Sequence, residues 1–331
     1  MNKKRWIALI IAIGLFVVSI ISQISSSIAS TDSNALFDNF TDEFSEKVIE
    51  QGTGFEKIAV LELNGIIMAD SAGSLLSGVT YSHQRFLDLL DHAARDGNVE
   101  AIILDVNTPG GGVVESAEIH EKIQNIQQNY EKPVYISMGN TAASGGYYIS
   151  APADKIVAHS ATVTGSIGVI MESLNYTELA DNLGIDFNTI KSGEFKDIMS
   201  ASREMTEEER AMLQTMIDEL YGDFVQVIVD GRGMSEETVR ELGDGRIYTG
   251  SQAKENGLVD ELGTLDDTIA MMKEDYNLED ATVIEYASGF EFNQFLGMTL
   301  QNKFGNESEL HVINNLLREA NAPRAMYLYS R

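Results

Sequence analysis

Ala101-Ile102-Ile103-Leu104-Asp105-Val106-Asn107-Thr108-Pro109-Gly110-Gly111-Gly112 is the stretch that decides the fold. Its first half is a nearly continuous apolar run, as expected of a strand covered on both faces. Its second half turns, and a helical pattern from about Val114 to Gln127 follows. Consecutive glycines there let the backbone bend and leave N–H groups unshielded, so the turn can hold an oxyanion or a phosphate. A plain turn fits the same residues. No Lys-Ser/Thr pair follows, so the nucleotide-binding P-loop does not.

Outward from this stretch the pattern repeats. Ile58–Leu63, Pro133–Met138 and Lys155–Ala158 read as strands. Helical patterns run from about His83 to Ala94 and from Thr206, a predicted N-cap, to about Val229. Glu207-Glu208-Glu209 after that cap suit the positive end of the helix dipole. Strands alternating with helices predict an α/β layered domain with a largely parallel sheet.

A second motif, Gly139-Asn140-Thr141-Ala142-Ala143-Ser144-Gly145-Gly146-Tyr147-Tyr148, also follows a strand and enters a helical stretch. A serine among small residues at such a junction can be held as a nucleophile, with the Gly145 N–H beside it. The same serine also fits a helix cap.

At the N-terminus Lys3, Lys4 and Arg5 precede an apolar run from Trp6 to Ile21, extended by Ile24. That length approaches the ~17–25 residues that span a bilayer. With no further cation before Lys47, the N-terminus is expected in the cytoplasm and the remainder outside. A cleaved leader ending at Ser27-Ile28-Ala29 is the competing reading, and the length of the run favours an uncleaved anchor. The expected division is a cytoplasmic end at 1–5, a membrane anchor at 6–25, a polar stalk at 26–54, a catalytic domain at 55–285 and a helical extension with an apolar tail at 286–331.

Twenty-three basic against 51 acidic side chains give a net charge of −28, which argues against nucleic acid as the main partner. A solvated, solubilising surface accounts for this charge; adaptation to salty or alkaline surroundings is a sharper reading. The absence of cysteine excludes disulfides and a thiol nucleophile. The five histidines lack the paired spacing of zinc enzymes, and neither a metal nor a cofactor is expected.

The two glycine-rich motifs together resemble the Clp-protease/crotonase superfamily. Within it, Ala151-Pro152-Ala153-Asp154-Lys155-Ile156-Val157, Thr164-Gly165-Ser166-Ile167-Gly168-Val169, Lys191-Ser192-Gly193-Glu194-Phe195-Lys196-Asp197 and Gly245-Arg246-Ile247-Tyr248-Thr249-Gly250 resemble the signal peptide peptidase A family in its short, single-domain form. The resemblance extends from about Lys57 to Met272. It implies a serine peptidase with Ser144 as nucleophile, Lys196 as general base, Ser166 orienting the lysine amine, and Gly111 and Gly145 donating oxyanion N–H groups. It also implies remnant signal peptides and other small peptides as substrates, and a ring- or dome-shaped homo-oligomer, with Ser144 and Lys196 expected from one chain. Such a base must be neutral, and an ordinary lysine, with a pKa of ~10.4, is neutral in only about one molecule in two thousand at pH 7. Phe195, Ile198 and Met199 are candidates for the apolar walls that favour the neutral amine. The choice of Lys196 over Lys191 rests on the resemblance alone. A Ser/His/Asp triad, an acyl-CoA enzyme using the same oxyanion site and a noncatalytic membrane scaffold are the alternatives. The tail Ala325–Arg331 either docks on the domain or occupies the groove as a peptide would.

Overall fold

A computed structural model of the chain describes residues 44–69, 81–288 and 325–329. Its centre is a nine-stranded sheet. Seven strands lie in the order β1 (Phe44–Glu50), β10 (Thr282–Ser288), β2 (Lys57–Asn64), β3 (Val99–Thr108), β5 (Val134–Ala143), β6 (Lys155–Ala158) and β9 (Glu261–Leu262). The pairings from β10 to β9 are parallel, and β1 joins antiparallel. Beyond β5 a short extension adds β7 (Val163–Gly165) and, antiparallel to it, β8 (Ile247–Thr249). A separate pair is formed by β4 (Gly110–Gly112) and β11 (Met326–Leu328).

Helices cover both faces, which is why the central strands are apolar on both sides. α1 (His83–Arg95), α2 (Val113–Asn129) and α3 (Gly145–Ser150) lie on one face. α2 buries Ser116, Ile119, Ile123 and Ile126, one stripe at helical spacing. Three short or peripheral helices follow: α4 (Thr177–Asn182), then α6 (Glu236–Leu242) and α7 (Gly250–Glu255) after the long α5 (Glu207–Arg232). α5 starts at the expected cap: Glu209 N–H donates to Thr206 Oγ1 at 3.2 Å, and Thr206 N–H donates to Glu209 Oε2 at 2.9 Å. α8 (Leu265–Tyr276) covers the opposite face, packing Ile269 and Met272 on Ile58, Val60, Ile103 and Tyr135.

Two expectations change. The sheet starts at Phe44, ahead of the boundary expected at residue 55, because residues 44–50 form the edge strand β1 rather than stalk. Phe44 is buried, while Lys47 faces Glu285 in register and pairs with it at 2.8 Å. Charged residues of this kind are what an exposed edge tolerates. The expected helical extension at 286–331 is likewise revised: Tyr286 belongs to β10, and residues 326–328 form a strand. The helix candidates between Phe290 and Leu317 lie outside the described residues, as does the apolar run at 6–25. Among the described residues no helix is long and apolar enough to cross a membrane.

Candidate active site

β5 ends at Ala143 and α3 begins at Gly145, so Ser144 occupies the junction. Its φ is +54°, a region unfavourable to any residue with a β-carbon. Such backbone persists only where its surroundings fix it, and it clusters at functional sites. Here the Ser144 N–H donates to the Gly165 carbonyl at 2.7 Å, and the Ser144 carbonyl accepts from Tyr147 and Tyr148 at 2.9 Å each. The side chain makes no capping hydrogen bond to α3, so the helix-cap reading does not account for it. The residue is 1% exposed.

Ser166 follows the carbonyl that holds Ser144. It too has positive φ, +51°, and its N–H donates to Arg246 at 2.8 Å. β7 is fixed on β5 by Thr164 Oγ1, which donates to the Ala142 carbonyl at 2.6 Å. In this way the motifs that carry Ser144, Ser166 and Arg246 converge on one corner of the sheet.

The Pro-Gly-Gly turn approaches from the other side. Gly110 has φ +97°, and a β-carbon on it would stand 2.6 Å from the Gly145 nitrogen and 2.1 Å from the Tyr327 carbonyl oxygen. A β-carbon on Gly145 would meet Ser116 Oγ at 2.7 Å and the Gly111 nitrogen at 3.2 Å. Bare backbone is therefore required at both, and it brings the Gly111 amide beside Gly145, the residue that follows Ser144.

β4 is the middle of three main-chain segments. Ile67 N–H donates to the Gly110 carbonyl at 2.9 Å and Gly112 N–H to the Ile67 carbonyl at 2.8 Å. On the other side the C-terminal tail pairs antiparallel, Tyr327 opposite Gly111. The tail is held in turn by Ile170, which exchanges hydrogen bonds with Met326 at 3.0 Å in each direction. Main-chain pairing on both sides of an inserted strand is a recurring way to hold an extended peptide. The Tyr327 ring fills an aromatic pocket, stacked on Tyr148 with centroids 4.9 Å apart, and its hydroxyl donates to the Leu220 carbonyl at 3.0 Å.

Lys196 sits elsewhere, exposed on a 3-10 turn at Glu194–Asp197. Among the described residues its amine has no hydrogen bond or ion pair, with Ser144 or otherwise. Phe195, Ile198 and Met199 are half-buried and do not enclose it within the chain, contrary to expectation. Lys191 is differently placed: its amine pairs with Asp197 at 2.6 Å and donates to the Glu194 carbonyl at 2.7 Å. Hydrogen bonds from Arg203 and Lys191 hold the Asp197 carboxyl well below the usual carboxylate range, so Lys191 faces a permanent anion.

No histidine among the described residues bonds to Ser144. His83 is taken by Tyr81 and Glu118, each at 2.7 Å. His159 is exposed and accepts from Ala161 N–H at 3.1 Å. His120 packs on Tyr148, and burial lowers its pKa. Sequence reasoning missed Ile67, Ile170 and the Gly165 carbonyl, since main-chain partners carry no side-chain signature.

The chain matches the model of peptidase family S49 over residues 126–279. A protein of Enterococcus faecium described as a putative signal peptide peptidase SppA is 40% identical over 345 residues, covering 99% of both chains. A putative protease of Methanocaldococcus jannaschii is 40% identical over 221 residues, 66% of this chain and 70% of that one. Protease 4 of Haemophilus influenzae is 32% identical over 250 residues, 75% of this chain but 39% of the longer relative. With a full-length match of that identity, a mostly parallel α/β sheet and a serine held at its strand–helix corner, the chain belongs to peptidase family S49, the signal peptide peptidase A family of serine peptidases.

Proposed function

We propose that the protein is a membrane-anchored endopeptidase that cleaves remnant signal peptides and other small peptides through an acyl-enzyme on Ser144. The observation that carries this reading is the convergence at Gly110, where a peptide carbonyl oxygen, that of Tyr327, lies beside the Gly145 amide that follows the serine. Ser144 Oγ attacks the scissile carbonyl carbon while neutral Lys196 takes its proton. The Gly111 and Gly145 N–H groups receive the oxyanion. Lys196 then returns the proton to the departing amine, and water releases the acyl group.

The position of Lys196 bears on assembly. The segment around it exposes Leu174 (75%), Leu183 (67%) and a fully exposed Ile190. Apolar surface of that kind is suited to a neighbouring copy. A ring-like homo-oligomer would cover it and supply the apolar surroundings that the lysine lacks within one chain. The anchor at 6–25 and an extracytoplasmic catalytic domain complete the reading, placing the catalytic corner beside the bilayer where signal-peptide remnants reside.

The test is hydrolysis of a fluorogenic hydrophobic peptide by the purified protein, its Ser144→Ala and Lys196→Ala variants, and Lys191→Ala as control. Loss of turnover in the first two alone supports the dyad. Full activity in Ser144→Ala removes the proposed nucleophile.

A further inference from the structure

The face of the sheet covered by α8 carries a cavity of about 360 Å³ beside the first turn of that helix. Alternation along the strands brings Glu62, Asp105 and Ser137 to this face, one register step past the Val60, Ile103 and Tyr135 packed under α8. Glu62 and Asp105 are direct register partners on parallel strands, and Asp105 partners Ser137 on the next. Asn64, Asn107 and His159 complete the polar wall, and no lysine or arginine lines it.

Like charges side by side on neighbouring strands are destabilising unless something compensates them. Lys47 pairs with Glu285, at 2.8 Å, and reaches Glu62 only through longer-range attraction. Asp105 is half-buried, accepts no hydrogen bond among the described residues, and the charged neighbours that act on it, Glu62 and Glu285, are both acidic. Ser137 is 4% exposed, yet its hydroxyl lines the cavity with no hydrogen-bond partner among the described residues. Its oxygen is not sealed in the core but opens to the cavity. The first turn of α8 closes one end, where Thr264 and Asp267 cap each other's N–H groups reciprocally and Asp266 adds a further carboxylate. Glu62 is fixed in orientation by a relay: Thr141 N–H donates to Asn107 at 3.2 Å, Asn107 to Asn64 at 3.3 Å, and Asn64 to Glu62 at 3.2 Å.

We propose that this cavity binds an organic cation, an alkylammonium or guanidinium group of the kind a lysine or arginine side chain carries. Glu62 and Asp105 balance its charge, and the Ser137 hydroxyl accepts one of its N–H bonds. The volume suits a small organic group rather than a bare ion. Among the described residues no cluster of three carboxylates or histidines offers a metal cage. The site stands apart from Ser144 and does not depend on its role.

The test is calorimetric titration of the full-length Ser144→Ala protein at pH 8 with agmatine, with a short arginine-bearing peptide and with calcium. Saturable agmatine binding is expected, weakened about tenfold or more when Asp105→Asn or Glu62→Gln is added, since each removes one charge-assisted contact. The peptide arm separates sources: peptide binding with the same two dependences identifies a peptide side chain, and agmatine binding alone identifies a free amine. No saturable agmatine binding, binding indifferent to both substitutions, or tighter calcium binding with the same dependences overturns the proposal. Circular dichroism and thermal unfolding of each variant confirm that a loss of binding is not a loss of fold.

Discussion

The carbonyl oxygen of Tyr327 and the amide nitrogen of Gly145 lie against the same point of Gly110, 2.1 and 2.6 Å from where its β-carbon would stand. One belongs to the tail and the other to the residue after the proposed nucleophile, so the tail's main chain and the start of α3 meet at the same glycine.

From this follows a prediction for the tail. Removing Met326–Arg331 is expected to raise the turnover of short peptides several-fold, because the chain's own strand no longer competes for β4. Steady-state kinetics of the truncated and full-length proteins measure it, and unchanged turnover would show that docking does not limit access. Tyr327→Ala should act in the same direction, since its ring, stacked on Tyr148, is the fully buried side chain of the described tail residues.

Gly145→Ala tests the oxyanion wall. Its new methyl group would meet Ser116 Oγ at 2.7 Å and push α3 from the Pro-Gly-Gly turn. Loss of one aligned donor typically costs ~10²–10³ in kcat, and overpacking costs ~1–3 kcal/mol of stability. A variant with kcat within threefold of the parent would place the oxyanion elsewhere.

The two lysines separate by different readouts. Lys191→Ala removes a partly exposed ion pair, worth at most ~1 kcal/mol, and should leave turnover within a few-fold. Lys196→Ala should leave the melting temperature unchanged and abolish turnover. The reverse pattern would transfer the base to Lys191.

Asp105 gives a pH signature. Burial, with Glu62 and Glu285 nearby, raises its pKa from an ordinary carboxylate value to about 6. The folded state therefore keeps this proton more tightly than the unfolded chain. Stability contributed by the protonated form is whole below the unfolded value near pH 4 and is lost as pH rises through about 6. Asp105→Asn should thus stabilise the protein at pH 8 by ~1–2 kcal/mol, after discounting for partial solvent screening, and by almost nothing at pH 4. Thermal unfolding at both pH values checks it; an equal effect at the two would remove Asp105 as the cause.

Much of this architecture is legible in the residues. Ala101–Val106 and Pro133–Met138 announce buried parallel strands, and Thr206 followed by Glu209 announces a capped helix. Ser144 is visible as a serine among small residues, but its positive φ is not, because the strain comes from the Gly165 carbonyl holding its N–H. β1 is obscured by its charges, which suit an edge and imitate a linker. The pairing of Met326 with Gly112 spans most of the sequence, so no local pattern could reveal it. The resemblance alone chose Lys196, because no local pattern separates it from Lys191, whose amine pairs with Asp197 at 2.6 Å.

The edge strand has a consequence for reach. With β1 starting at Phe44, the link between the proposed anchor and the sheet shrinks to residues 26–43, which even fully extended cover no more than about 60 Å. With the anchor proposed above, the catalytic corner would be kept on a short leash. It would sweep the surface of one patch of bilayer and meet peptides that leave that patch only when they diffuse back.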